Sequence, residues 1–395
     1  MIKTIKQRLE HPMVILIGGF LFIRLVLLMG LPYEGLIGYG DVRSYFYLAE
    51  IPGWPYLDHW SEYPPVFPFL IEILNRLAAA REHIFTYLLV FIFLTTDIGS
   101  LVLFYQLACS VSGKSIGFRQ TILFGIFLGA LPYTWWSFDS LVVFSILVSI
   151  FLIQNKRPFL SGLSIGAGIL LKVFPLLMIG FSIKKLSIQK TGVLTTVVIG
   201  IVLAAYLILW VFSPNFTLAS LNSQSSKGSW QTIWALLDRN DQTGSFGPLI
   251  ERLDPEKAYN PIQNPSVISP WVLLPIFIGI GFWRFIKIKP FSEKGQMALV
   301  GFTWGLFFLW MPGWSPQWIY YLLPFIILGL PMPLSTLFGA VLIFLNLLEW
   351  PILLSRGLFW ALPFTVLLRT AVMILLTFTF EKQARLLGAI QDSEK

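Results

Sequence analysis

The sequence predicts an all-α polytopic membrane protein with about twelve transmembrane helices. Of its 395 residues, 56% are hydrophobic and only 12% are charged, about half the charged share of a soluble protein. The mean hydropathy is +0.75, and the basic residues lie mainly at the ends of long apolar segments. The chain has room for about a dozen crossings of ~20 residues and for one or two large loops.

Composition also limits the classes of function. The single cysteine, Cys109, lies in an apolar run and excludes an intrachain disulfide. The net charge of +8 is scattered among segment ends and accompanies no nucleic-acid motif, so we expect no nucleic-acid partner. The first apolar run has no small-residue cleavage site, which indicates a retained helix rather than a signal peptide.

The first span is predicted at Met13–Leu31, and the basic residues before it predict a cytoplasmic N-terminus. The loop Pro32–Glu62 has five acids and one base, Arg43, which predicts an outer location. The next segment, Tyr63–Ala80, is interrupted by prolines and carries two charges. The later basic clusters all face the cytoplasm only if this segment does not cross, so we expect an amphipathic juxtamembrane helix there.

The segment Phe159–Phe181 is long enough for one crossing, yet both of its flanks are basic. This conflict disappears if it is two short helices that meet at Lys172-Val173-Phe174-Pro175, because proline cannot continue a helix without losing a hydrogen bond. Glycines 162, 166 and 168 would allow close packing. Lys172 would then lie at the outer tip.

The remaining spans bring the count to twelve, with both termini inside. They are predicted at His83–Cys109, Gly117–Thr134, Phe138–Ile153, Lys190–Phe212, Pro270–Phe285, Gly295–Met311, Gln317–Leu330, Leu334–Leu354 and Leu358–Phe380. We expect one domain over 1–395, made of a first span (13–31), an outer catalytic loop (32–82), a helical module (83–212), a second outer loop (213–269) and C-terminal helices (270–380). Ser229–Leu237 is expected to be a helical patch in the second loop.

Ionisable groups inside spans are costly in lipid and are therefore functional candidates. Arg24 is a candidate near the outer loop, or else a structural ion pair or a snorkelling arginine. Asp97 is better explained by helix packing, and Glu349 and Arg369 can pair with each other. Asp139 begins a predicted helix, where an aspartate is commonly a cap. Its predicted position at the outer side of the membrane, at the same depth as Lys172, makes a role in the functional site equally reasonable.

On this topology Asp41, Asp139, Lys172, Gln317 and the second outer loop share one face of the membrane. An acid can accept a proton, a cation can bind phosphate, and aromatic rings can stack on a sugar. This combination favours glycosyl transfer from a lipid-phosphate donor.

Four sequence motifs carry a resemblance to a known family. Asp41 is followed by Tyr45, Tyr47 and Tyr63-Pro64-Pro65, and Asp139 opens a helix further on. A glycine-rich stretch ends in Lys172-Val173-Phe174-Pro175, and Ser315-Pro316-Gln317-Trp318 precedes Leu322-Leu323-Pro324. In this order and spacing the motifs resemble the GT-C glycosyltransferases, in particular the bacterial and archaeal branch that uses polyprenyl-phosphate-mannose.

The resemblance implies an inverting integral-membrane hexosyltransferase that moves a sugar, mannose in that branch, from a polyprenyl-phosphate donor to a glycan or glycolipid hydroxyl. It implies Asp41 as the catalytic base, with Asp58 as the alternative, and Lys172 and Arg24 as ligands of the donor phosphate. It implies that the reaction takes place at the outer face of a bacterial or archaeal plasma membrane. The implied substrate-binding residues are Tyr45, Tyr63, Asp139, Lys227, Gln231, Gln317 and Trp318.

Arg43 stands where some GT-C enzymes have the second acid of a DxD motif, so we expect no metal and no other cofactor. A transporter or flippase of lipid-linked sugars would also explain intramembrane charges and a broken helix, but we find no internal repeat. A polysaccharide polymerase is a third possibility. The acidic outer loop around Asp41 favours transfer chemistry over both.

Overall fold

The computed structural model describes residues 12–38, 40–130, 137–240, 246–289 and 292–389. Within these ranges the regular elements are helices, and no β-strand occurs. The α-helices are α1 (Pro12–Gly30), α2 (Tyr33–Gly38), α3 (Val42–Ala49), α4 (Val66–Leu77), α5 (Glu82–Ser112), α6 (Lys114–Ala130), α7 (Asp139–Gln154), α8 (Pro158–Ile169), α9 (Met178–Lys185), α10 (Ile188–Phe212), α11 (Pro214–Ser226), α12 (Ile233–Asp238), α13 (Pro270–Lys287), α14 (Glu293–Trp310), α15 (Ile319–Gly329), α16 (Met332–Leu347) and α17 (Leu362–Ala389). Residues 131–134, at the end of the predicted span Gly117–Thr134, lie outside the described residues.

Long apolar helices dominate the architecture. Among the described residues, six segments are long and apolar enough to cross a membrane, namely α1, α5, α10, α13, Met332–Arg356 and Phe359–Leu387. Helix α13 buries none of its residues despite its apolar composition, and such a surface fits lipid tails rather than water. The predicted all-α polytopic membrane protein is confirmed, whereas the twelve crossings and their sidedness stay predictions.

The helix predicted within Tyr63–Ala80 is present as α4, and its position along the outer surface of the membrane stays a prediction. It begins directly after Pro64 and Pro65, and it buries Phe67, Ile71 and Leu74, a spacing of four and three residues that defines one helix face. The buried face packs on α3 and α5. The helix therefore holds the outer loop against the long helix that follows it.

The predicted break between Phe159 and Phe181 is also present. Helix α8 ends at Ile169, a 3-10 turn covers Phe174–Leu177, and α9 starts at Met178. A Cβ on Gly162 would lie 2.8 Å from the Leu194 carbonyl oxygen of α10, so this glycine permits the close packing of α8 on α10. Lys172 lies in the break, between the two helices.

The segment 213–269, predicted to be the second outer loop, contains more helix in its described residues than the sequence predicted. The expected patch Ser229–Leu237 is shortened to α12, where the Thr232 side chain accepts from the Ala235 amide at 3.2 Å. Helix α11 was not predicted, because its serine-rich and asparagine-rich sequence is typical of loops. It is held by the first outer loop, since the Ser61 amide donates to Ser220 Oγ at 3.0 Å.

Candidate active site

Asp139 and Lys172 form a buried ion pair at the helix break. Lys172 Nζ lies 2.6 Å from Asp139 Oδ1, and the side chains are 17% and 2% exposed, respectively. The hydroxyls of Tyr321 and Ser137 also donate to the Asp139 carboxylate. The N-cap residue of α7 is Phe138 and not Asp139, and the Asp139 amide donates to Ser137 Oγ at 3.3 Å. Its carboxylate therefore orients Lys172, and the capping interpretation does not describe it.

Aromatic rings surround the Lys172 ammonium. Its Nζ lies 5.0 Å from the ring centroids of both Phe138 and Trp318, and 5.3 Å from that of Phe174. Rings at this distance stabilise a cation through their negative faces. Phe138 is the N-cap residue of α7, Phe174 begins the 3-10 turn, and Trp318 ends the segment before α15. Three separate parts of the chain therefore fix this lysine.

Asp41 directly precedes α3 and makes no cap hydrogen bond to that helix. Its Oδ2 accepts from the Tyr45 hydroxyl at 3.3 Å. Burial and the negative charge of Asp139 raise the pKa of Asp41 to about 6, although the Tyr45 hydrogen bond and the Lys172 charge act in the opposite direction. Asp41, Asp139 and Lys172 thus belong to one electrostatic cluster, and Asp41 titrates close to neutral pH.

Tyr63 connects this cluster to the second outer loop. Its ring lies 6.3 Å from that of Tyr45 and 5.4 Å from that of Phe138, while Lys227 Nζ lies 5.3 Å from it. The Lys227 ammonium donates to the Glu62 carbonyl at 3.3 Å. Burial lowers the pKa of Lys227 to about 8, with Glu62 opposing that change and Lys172 adding to it.

A second ion pair joins the two outer loops beside Lys227. Arg252 binds both carboxylate oxygens of Glu62, at 2.8 and 3.2 Å. Burial alone would raise the pKa of Glu62, but the charges of Arg252 and Lys227 lower it below its ordinary value. A two-point guanidinium–carboxylate contact fixes orientation as well as distance, so the position of Lys227 above Tyr63 is set by this bridge.

Arg24 lies in a different polar cluster. Its guanidinium contacts Asp97 Oδ2 at 3.3 Å and the Leu128 carbonyl at 2.8 Å. The Tyr320 hydroxyl donates to the other oxygen of Asp97 at 2.8 Å. Arg24 thus forms the structural ion pair that the sequence offered as an alternative, and its role as a ligand of the donor phosphate stays a prediction.

Gln231 is likewise drawn into another cluster. The backbone carbonyl of Gln231 accepts from Arg369. Arg369 also pairs with Glu349, as the sequence suggested. With its amide nitrogen turned inward, the Gln231 side chain donates to the Trp314 carbonyl and to Glu349 at 3.1 and 3.0 Å. Gln231 therefore anchors the loop to the helices, and its role in substrate binding stays a prediction.

The alternative base, Asp58, is an exposed turn residue. Its Oδ2 accepts from the Trp54 amide at 2.7 Å, and it lies against Gly53, whose φ of +92° suits glycine. This arrangement gives Asp58 a local role in the turn. Gln317, by comparison, is half-buried in the same 3-10 turn as Trp318.

The sequence interpretation missed Tyr321, Phe138 and the Glu62–Arg252 bridge. Tyr321 lies three residues after Trp318, on the same side of α15, and this spacing was a usable signal. The bridge joins residues 190 positions apart, and nothing in the local sequence pairs them. Within the described ranges, no three His, Cys, Asp or Glu side chains come together as a metal site, and independence of a metal stays a prediction.

Comparison with known proteins gives limited similarity. No protein-family model matches the sequence, and no curated protein matches it. One similar solved structure is the Archaeoglobus fulgidus oligosaccharyltransferase tethered with an acceptor peptide containing the NVT sequon via a disulfide bond, at 13% identity and a TM-score of 0.43. The alignment covers 96% of this chain and 56% of that chain.

A second similar structure is the archaeal oligosaccharyltransferase AglB from Archaeoglobus fulgidus in complex with an inhibitory peptide and a dolichol-phosphate. The identity is 13%, the TM-score is 0.39, and the alignment covers 95% of this chain and 56% of that chain. The present chain thus spans little more than half the length of the chains it resembles.

Proposed function

We propose that this protein is an inverting glycosyltransferase of the GT-C type, which moves a sugar, mannose in the branch it resembles, from a polyprenyl-phosphate donor to an acceptor hydroxyl at the outer face of a membrane. The observation that carries the proposal is the cluster of Asp41, Asp139, Lys172 and Lys227. Lys172 pairs with Asp139, while Tyr45 and Tyr63 connect Asp41 to Lys227. The charges of Asp139 and Lys172 act on Asp41, and that of Lys172 acts on Lys227. The four motifs that resemble the family contribute three of these residues.

Asp41 is the proposed general base. The acceptor oxygen forms a bond to the anomeric carbon while the bond from that carbon to the phosphate oxygen breaks. The hydroxyl proton passes to Asp41, and the electron pair of the broken bond leaves with the phosphate. A base is most effective when its pKa lies near the working pH, and burial brings the pKa of Asp41 to about 6.

Lys172 and Lys227 are the proposed ligands of the departing phosphate. An ammonium group has three donor hydrogens, and Lys172 donates one of them to Asp139. Lys227 donates to a carbonyl, a neutral partner, which leaves its charge available to an anion. Charge placed in advance near the leaving oxygen stabilises the transition state more than the ground state.

The test uses purified protein in lipid nanodiscs, radiolabelled polyprenyl-phosphate-mannose and membrane lipid as acceptor. Asp41→Asn should insert and fold normally but transfer label at least about 10²-fold more slowly, the usual scale for a positioned base. Asp58→Asn is the matched control, because it changes an acid of the same loop that serves the turn. Normal turnover in Asp41→Asn together with inactivity in Asp58→Asn would assign the base to Asp58. Unlabelled lipid with the parent protein would argue against mannosyl transfer.

A further inference from the structure

Three lysines at the end of α13 form a basic patch. The patch consists of Lys184, near the end of α9, of Lys287, the last residue of α13, and of Lys289 just beyond it. The Lys184 ammonium donates to the Ile288 carbonyl at 3.2 Å, which places it beside the residue that separates the other two lysines. Lys287 and Lys289 are exposed, and Lys184 is half-buried. The patch is therefore a surface feature that the fold assembles from two helices.

The carboxylates close to the basic patch are bound by other cations. Glu293, at the start of α14, pairs with Lys185 at 2.9 Å. Glu381 of α17 pairs with Arg284 at 3.2 Å and with Arg385 at 3.1 Å. Within the described ranges, none of the carboxylates forms an ion pair with a lysine of the basic patch. The positive charge of the patch is thus not neutralised by the acids beside it.

The lysines of the basic patch repel one another. Burial and the positive charge of Lys289 lower the pKa of Lys184 below its ordinary value. The groups that hold Lys184 are neutral, namely the Ile288 carbonyl and the ring of Phe285, whose centroid lies 4.5 Å from Nζ. An anion bound here would relieve the repulsion, and it would not compete with a carboxylate for these ammonium groups.

An apolar stripe on α13 leads to the basic patch. Ile278, Phe282 and Ile286 are four residues apart, so they lie on one face of the helix, and each is more than half exposed. From Ile278 to Ile286 the helix rises about 12 Å, close to the ~15 Å that one leaflet contributes to the hydrocarbon core. Trp283, a residue type common at membrane–water interfaces, has its ring centroid 4.6 Å from Lys287 Nζ. The stripe therefore matches the length of a lipid chain that ends at the patch.

We propose that the basic patch and the apolar stripe bind one anionic phospholipid, whose phosphate contacts the lysines and whose acyl chains lie along α13. This site is separate from the candidate active site and does not depend on the transfer reaction. A soluble phosphate or nucleotide would use the lysines alone and leave the stripe uncovered. A zwitterionic phospholipid would bring a cation of its own to the patch. A molecule with an anionic head and apolar chains satisfies both parts of the surface.

Native mass spectrometry of delipidated protein, titrated with phosphatidylglycerol or with phosphatidylcholine, measures this binding directly. The parent protein should bind phosphatidylglycerol about fivefold or more tightly than phosphatidylcholine, since one basic residue near an anionic lipid surface contributes about that factor. Lys184→Gln and Lys289→Gln should each weaken phosphatidylglycerol binding about fivefold and leave phosphatidylcholine binding unchanged. Lys184→Arg should keep the preference, because the charge survives. Lys289 is exposed, so its variant tests the site even if Lys184→Gln fails to fold.

Two further variants separate the site from general surface charge. Lys156→Gln is the matched control, at an exposed lysine that is predicted to face the same side of the membrane, and it should bind as the parent does. Phe282→Ala shortens the stripe without touching the lysines and should weaken the binding of both lipids.

Equal affinity of the parent protein for the two lipids would overturn the proposal. So would an equal loss of phosphatidylglycerol binding in Lys156→Gln, because the lysines would then act only as a diffuse charge at the membrane surface. Unchanged binding in Phe282→Ala, or full displacement of the lipid by an equal concentration of inorganic phosphate, would refute the role of the acyl chains and leave a site for a soluble anion.

Discussion

The pair of Asp139 and Lys172 can be tested by separating its contribution to folding from its contribution to catalysis. Lys172→Met leaves the buried Asp139 carboxylate without its cation. Breaking a fully buried pair costs about 3–5 kcal/mol, but Lys172 is partly exposed and two hydroxyls still donate to Asp139. We therefore expect the free energy of unfolding to fall by about 2–3 kcal/mol.

The double variant Lys172→Met/Asp139→Asn removes both charges and keeps the shape of the site. It should recover most of the lost stability, because no unpaired charge remains. Turnover should not recover: both Lys172→Met and the double variant should be slower by about 10²–10³-fold, the scale for losing one preorganised charge at a transition state. Lys172→Arg should keep part of the activity, since the charge survives although the geometry changes.

Thermal unfolding in detergent and initial rates in nanodiscs are the two measurements. If turnover in the double variant returned in step with stability, the pair would have a structural role alone. Near-parental rates in both Lys172→Met and Lys172→Arg would remove Lys172 from the proposed site, leaving Lys227 as its cation.

Three further predictions concern protonation and topology. The pKa of Asp41 is raised from 3.8 to about 6, so turnover should rise with pH through about 6. The stability that this carboxyl contributes is complete below pH 3.8 and is lost as the pH rises through about 6. Asp41→Asn should therefore have a melting temperature at pH 8 no lower than that of the parent protein. A lower melting temperature would contradict the argument. Because burial lowers the pKa of Lys227 to about 8, turnover should decline above that pH. Lys227→Arg should move the decline to a higher pH, by about one pH unit or more. A decline at the same pH in this variant would exclude Lys227 as its cause. In a Cys109→Ser background, cysteines at the exposed positions Glu50 and Ser225 should react with an impermeant maleimide from outside, and one at Asn155 only after permeabilisation; protection of Glu50 with labelling of Ser225 would break the predicted topology.

The features that the sequence predicted well are those with local physical causes. Pro175 prevents a continuous helix, and the basic flanks require the chain to turn back, so the break at Lys172 could be placed to within a few residues. The amphipathic spacing of α4 follows in the same way from its own residues. Asp41, Tyr45 and Tyr63 lie within one loop, and their proximity required no knowledge of the remaining chain.

The features that the sequence left open or missed depend on partners distant in sequence. Arg24 and Asp97 are 73 residues apart, and either could have faced a ligand until the packing of α1 and α5 joined them. Helix α11 has the composition of a loop but is stabilised by the first outer loop. Such choices are decided by tertiary contacts, which periodicity and composition do not encode.

The consecutive tyrosines at the start of α15 have a mechanical consequence. Successive residues of an α-helix point about 100° apart around its axis. Tyr320 accordingly bonds Asp97 on α5, while Tyr321 bonds Asp139 on α7. Rotation or sliding of α15 that released one hydroxyl would strain the other, and a buried polar group left without a hydrogen bond is costly. The rotation of α15 about its axis is thus fixed from two directions. Arg24 bonds the same Asp97 carboxylate as Tyr320, so it belongs to one of the two anchors of the helix that presents Tyr321 to Asp139.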